Sequence, residues 1–214
     1  MSLTKTSAPA RSDVTTSATA RPTPTVPLTQ RPYFRHGTML TVGALAWSSM
    51  IVVFGLNSET TAYQYAHNAS SFLFQVGVLS LVRVLWRTKA IGSGKVARTA
   101  LRVEVGALAL AMASTASDFF GLTNLDNPAS LALDMFWPIS MLGMFLIGIR
   151  IAVAGRWQGL SRFYPLVAES WAVVTVPTMG IFGEGVARWV GAAHLVIGYA
   201  VLGQIVARKQ ADGS

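Results

Sequence analysis

The sequence predicts an all-α integral membrane bundle of six transmembrane helices with both termini cytoplasmic. Three observations carry that prediction. Of 214 residues, 52% are apolar and only 12% charged, against about 25% charged in soluble domains. The apolar residues concentrate in six runs of about 18 residues or more, enough for a helix to cross about 30 Å of hydrocarbon. Lys and Arg collect at every second turn of the chain, as cytoplasmic loops do.

Residues 1–36 stand apart. "TKTSAPARSDVTTSATARPTPTVPLTQRP" is built from Ser, Thr, Ala and Pro with scattered Arg. Too little apolar surface offsets its conformational entropy, so it is expected to be a disordered cytoplasmic tail. A secretory signal needs an apolar stretch, which begins only near Met39. Pro9, Pro22, Pro24, Pro27 and Pro32 oppose the amphipathic helix of a mitochondrial transit peptide.

Residues 37–207 are predicted to form the membrane domain, with 208–214 a short C-terminal tail. The spans are expected over 38–56, 69–86, 101–122, 131–153, 165–182 and 187–207. None alternates as a barrel strand would. The fifth carries Glu169 and Pro177, and proline is tolerated where neighbouring groups satisfy the freed carbonyl.

Charge sets the orientation. Lys5, Arg11, Arg21, Arg31 and Arg35 precede the first span, and Glu59 is the only charge in the first linker. Arg83, Arg87, Lys89, Lys95, Arg98 and Arg102 surround the second linker. The third has Asp126, flanked by Asp118 and Asp134, and no base. Arg150, Arg156 and Arg162 surround the fourth, and Arg208 and Lys209 end the sixth span. Only Arg188 breaks the alternation. The net charge of +8 is therefore assigned to topology and not to nucleic-acid binding. The expected partners are the bilayer itself and anionic lipid headgroups at the basic loops, among them "IGSGKVART", which is too short for a phosphate-binding GxxxxGK[ST] loop. The Ala/Gly/Val-rich chain, with Arg exceeding Lys, is in the style of a bacterial inner-membrane protein.

Candidate functional residues emerge from helical phase. Asp118, Asp126 and Asp134 recur every eight residues. Asp126 reads as a loop residue; it, Asn127 or Ser130 is placed to cap the following helix. Asp118 and Asp134 sit about 5 Å inside their apolar runs at helical rise. Ionisable groups there usually face the bundle interior or a water-filled cavity. Glu104, Ala107, Ala111, Ser114 or Thr115, and Asp118 share one face of the third span, which is expected to point inward. Ala109, Ala113 and Ser117 form an adjacent small-residue row suited to close helix approach. Asn68, Ser71 and Gln75 share a face of the second span. Gly191, His194 and Gly198 share one on the sixth.

These faces predict an outward-facing polar pocket for a small or lipidic ligand, bound by Asp118, His194, Asp134, Gln75 and Ser114, with His67 and Glu184 at its rim. Asp118 and His194 are its expected centre. Sensing, accessory work or transport would use such a pocket without catalysis. Glu104 and Glu169 are expected to pair with arginines nearer the cytoplasmic side.

The alternative is a membrane-embedded metal-dependent hydrolase holding zinc with His194, Asp118 and Asp134. No HExxH spacing supports it. A Ser, Asp and His set at one depth has a distant likeness to membrane-embedded ceramidase-like hydrolases, but their closely spaced histidine pair is missing here. Haem would need His67 and His194 face to face. With no cysteine, thiolate metal sites and cysteine nucleophiles are excluded. No cofactor is implied.

Overall fold

The computed structural model describes residues 31–57, 60–124 and 126–210. The tail expected over 1–36 lies outside them up to residue 30, as do residues 58, 59, 125 and 211–214. Phe34, Arg35 and His36 already form the first turn of α1, so the helix begins before the expected domain edge at residue 37.

The predicted spans all appear as helices. α1 is Phe34–Phe54, α2 Thr61–Arg87 and α3 Lys95–Phe119. The fourth is bent: α4, Pro128–Asp134, passes through Met135 into α5, Phe136–Ala154. The fifth breaks at Ser170 between α6, Leu160–Glu169, and α7, Trp171–Phe182. The sixth starts as α8, Glu184–His194, widens into a π-helical segment over Leu195–Ala200 and ends as α9, Val201–Arg208. Five of these six are long and apolar enough to cross a membrane. The exception is α3. Its 25 residues suffice in length, but Arg102, Glu104 and Asp118 dilute its apolar character.

α2 begins well before the expected residue 69. "TAYQYAHN" is polar, so hydropathy alone misses it. The Thr60 side chain caps the helix by accepting from the Tyr63 N–H. At α4 the cap is Asn127, whose Oδ1 accepts from the Ala129 N–H at 2.9 Å, with Pro128 in the first turn. Asp126 is not the cap.

The helices close a ring. α1 packs on α2, α2 on α3, α3 on α5 and α5 on α6. α6 meets the π segment, which with α8 and α9 returns to α1. Glycines set the close crossings of α1 and α2. A Cβ on Gly43 would lie 2.7 Å from the Phe74 Cα, and one on Gly77 would lie 2.8 Å from the Leu40 Cα. Without side chains there, the α1 and α2 backbones meet directly. The row Ala109, Ala113 and Ser117 does not serve this purpose. Ala109 and Ala113 are exposed; Ala107, Ala111, Ser114 and Thr115 are the small residues α3 buries.

Large apolar side chains cover the outside, among them Leu142, Leu146, Val153, Val173 and Ile181. A bilayer would cover them. The interior holds Leu40, Trp47, Leu81, Leu85, Ile151 and Leu202, and also Gln75, Glu104 and Glu169, each 2–3% exposed. Buried polar groups in an apolar bundle are costly unless partnered.

Candidate functional site

The ring has two chemically distinct ends. The acidic end carries Asp118, Asp134 and Glu184. The basic end carries the linkers with Lys89, Lys95, Arg98 and Arg156.

A cavity of about 340 Å³ opens at the acidic end. It lies in the range of ligand pockets, about 300–1,000 Å³. Asp118 and Asp134 both line it, with His67, Asn68, Ser71 and Thr115. So do Trp47, Trp137 and Trp171, from α1, α5 and α7. Trp47 lies 5.6 Å from Trp137 at 90° and 5.2 Å from Trp171 at 37°. Trp171 is fixed by its Nε1–H donating to the Gly191 carbonyl at 2.9 Å. His67 is held between Trp47 at 6.4 Å and Tyr63 at 5.4 Å.

Among the described residues no Lys or Arg lines this cavity. Three buried polar atoms on its lining residues, Trp47 Nε1, His67 Nδ1 and Thr175 Oγ1, have no hydrogen-bond partner among the described residues. Two carboxylates and three indole faces make a surface that attracts positive charge.

The structure separates the five predicted site residues. Asp118 and Asp134 share the cavity. Ser114 stands behind it, donating to Asp134 Oδ1 at 3.4 Å. Gln75 lies deeper, its amide donating to Thr115 Oγ1 at 3.0 Å. His194 is elsewhere. Its Nε2 contacts the Val167 carbonyl at 2.8 Å, where α6 ends. A carbonyl only accepts, so Nε2 carries the proton. The Ser170 hydroxyl donates to the same carbonyl at 2.8 Å. His194 thus binds the backbone next to the break between α6 and α7.

Helical phase on one element does not show which neighbour His194 meets. Gly198 admits α6, since a Cβ there would lie 3.0 Å from the Ala168 Cα. Sequence reasoning misses the three tryptophans, because an aromatic in an apolar run carries no distinguishing signal. The metal alternative finds no support in this placement. Among the described residues no group of three or more His, Asp or Glu converges to hold a metal ion.

Glu184 and Arg188 are also accounted for outside the cavity. Glu184 Oε1 accepts from the Leu56 and Asn57 N–H groups at 3.2 and 2.9 Å. The Arg188 guanidinium donates to the carbonyls of Val52 and Val53. These are among the last carbonyls of α1, which a cation suits. Arg188, the base at the acidic end, therefore caps a helix.

The expected Glu–Arg pairing is not what the core shows. Glu104 Oε1 accepts from the Ser140 hydroxyl at 2.6 Å. Glu169 Oε2 accepts from the Tyr199 hydroxyl at 2.5 Å. Both partners are hydroxyls. The arginines expected at that depth, Arg83, Arg102 and Arg150, are all exposed, and Arg102 sits 5.8 Å over the Trp86 ring.

A second cavity, of about 630 Å³, opens at the basic end and is lined by Ser93, Gly94, Glu104, Gly143, Arg150 and Arg156, among others. The "IGSGKVART" loop forms part of its rim. It is anchored rather than free: Ala90 and Ile91 are buried, and the Trp157 Nε1–H donates to Thr88 Oγ1 at 3.0 Å.

No family model, curated protein or solved structure matches this chain. Its helices define a class nonetheless: the described residues form an all-helical bundle with several helices apolar enough for a membrane protein.

Proposed function

We propose that the chain is a six-span protein of a bacterial inner membrane, both termini cytoplasmic, that binds a small organic cation at its outer face. α3 is the third of these spans, stabilised in the bilayer because the ring encloses Glu104. The acidic end faces outward and the basic loops meet anionic headgroups. The ligand is an amine or quaternary ammonium group on a small or lipidic molecule.

One observation carries this reading. Asp118 and Asp134 share a tryptophan-walled cavity that, among the described residues, no Lys or Arg lines. A cation over an indole face gains about 0.5–2 kcal/mol, more as it is desolvated, and two carboxylates add charge complementarity. Among the described residues the cavity holds no arranged nucleophile and base, so binding in a sensing, accessory or transport role is favoured over turnover.

The test is tryptophan fluorescence of nanodisc-embedded protein titrated with alkylammonium salts. Saturable quenching, weakened in Asp118→Asn and Asp134→Asn, is expected. No saturation, or equal quenching by carboxylate anions of the same size, would overturn it. Uptake into proteoliposomes then separates transport from sensing.

A further inference from the structure

Between the two cavities lies a small void of about 30 Å³, lined by Gln75, Ser140, Glu169 and Tyr199 together with apolar side chains. It has room for about one water molecule. Glu169 Oε1 and Gln75 Oε1, both buried, have no hydrogen-bond partner among the described residues. Glu169 is 3% exposed and Gln75 2%. The lining is mostly apolar, but two orphaned acceptors and a neighbouring hydroxyl supply the polar partners that make a buried water stable.

The void connects to the basic-end cavity through one pair of side chains. Ser140 lines the void and donates to Glu104 at 2.6 Å. Glu104 lines the basic-end cavity. On the other side, Gln75 binds Thr115, and Trp137 borders both the void and the acidic-end cavity. Gln75 is an amide and a poor proton carrier. The two sides of the void therefore differ: one has a continuous line of exchangeable groups and the other has a plug.

We propose that Glu104 and Glu169 form a proton-binding site in the bundle core, loaded from the basic-end cavity and completed by a single water in the void. The transfer conserves protons and moves no electrons. In the resting geometry Ser140 donates to Glu104; once Glu104 is protonated from the cavity its carboxyl O–H donates to Ser140 Oγ instead, and the Ser140 hydroxyl turns to the water. The Glu104 O–H bond then breaks as its proton passes to Ser140 Oγ, the original Ser140 hydroxyl proton passes to the water, and a water proton forms the new O–H bond on Oε1 of the Glu169 carboxylate. Tyr199 holds Glu169 Oε2 throughout. Glu104 is left as a carboxylate in the cavity that Arg150 and Arg156 also line, and regains a proton from there.

The surrounding charged and titratable groups are few. α2 presents neutral Gln75 at this level, and the π segment presents Tyr199. α5 contributes Arg150 only at the cavity. On α3, Arg102 is turned to Trp86; on α6, Arg162 is bound to Ala152. His194, at the end of α8, is occupied with Val167. Arg208 lies at the far end of α9. The proton is then the counter-charge these two carboxylates share. This site stands or falls independently of the cation pocket.

The experiment is infrared spectroscopy of nanodisc-embedded protein, following protonated-carboxyl bands during transfer from H₂O to D₂O. Wild type is expected to show protonated-carboxyl bands that shift on exchange, with Glu169→Gln losing one and Tyr199→Phe displacing it. Glu104→Gln and Ser140→Ala should slow deuterium exchange at Glu169 while circular dichroism stays unchanged. Both substitutions are close in size to the originals, so folding and relay are read separately. Absence of a band that disappears in Glu169→Gln would overturn the proposal. So would exchange at Glu169 that is as fast in Glu104→Gln as in wild type. Loss of the band on adding sodium at constant pH would assign the void to a metal cation instead, and would equally overturn it.

Discussion

Tyr199 donates its hydroxyl to Glu169 at 2.5 Å, joining the π segment to α6 in the buried middle of the bundle. The contact depends on backbone placement. Gly198, next to Tyr199, and Ala168, next to Glu169, are the point where the two backbones nearly touch. A π-helical turn adds a residue per turn and re-aims the side chains beyond it. Removing the hydroxyl in Tyr199→Phe leaves both oxygens of Glu169 without a side-chain partner. Destabilisation of about 1–2 kcal/mol is expected. Unfolding in mixed micelles measures it, and a double-mutant cycle with Glu169→Gln isolates the pair.

Gly143 makes room for Glu104. A Cβ at this position would collide with Glu104 Oε2. Gly143→Ala should push the carboxyl off Ser140, so that Ser140 loses its partner. The expected cost is about 1–3 kcal/mol from the orphaned group and the overpacking together. Gly106→Ala is the control, because a Cβ there meets nothing within 4 Å. It should be neutral or slightly stabilising, since Ala is the better helix former. If both variants unfold at the wild-type midpoint, Glu104 is not packed against Gly143.

The helices and the inward face of α3 are legible in the sequence, because period and hydropathy are local properties. Glu104, Ala107, Ala111, Ser114 and Thr115 fall on one face by spacing and are one buried face. Pairings across helices are less legible. His194 and Asp118 share the outer half of the bundle in the sequence, yet depth does not fix rotation or neighbour. Glu169 and Tyr199 are 30 residues apart, and no periodicity links them. The expectation that a membrane carboxylate seeks an arginine also fails, because Ser140 and Tyr199 are the groups that reach Glu104 and Glu169.

His194 and the aspartates should therefore behave differently. Asp118→Asn and Asp134→Asn each remove a charge from the cavity wall. Each should weaken alkylammonium binding about tenfold, equivalent to about 1.4 kcal/mol. His194→Gln should leave that affinity unchanged, as its side chain lies against Val167. It should instead lower stability slightly, because a Gln amide reaches the carbonyl less well than the ring does. Fluorescence titration and unfolding on the same three variants check both statements. Equal loss of affinity in all three would place His194 in the pocket after all.

Because the chain has no cysteine, its threading can be read by single-cysteine labelling without prior substitution. Asn57 lies in the α1–α2 linker and Asn124 in the α3–α4 linker, both at the acidic end; Gly94 and Gln158 lie in the basic-end linkers. If α3 crosses the membrane, Asn57→Cys and Asn124→Cys should react with a membrane-impermeant maleimide added to intact cells. Gly94→Cys and Gln158→Cys should react only after permeabilisation. Arg188 runs against the charge rule, but its guanidinium is committed to the carbonyls of Val52 and Val53. Arg188→Ala should thus fray the end of α1 without changing this labelling pattern. If α3 instead lies along the surface, Gly94→Cys and Asn124→Cys would label from the same side. The ring would then have to open between α2 and α5, exposing Glu104, which the bundle buries.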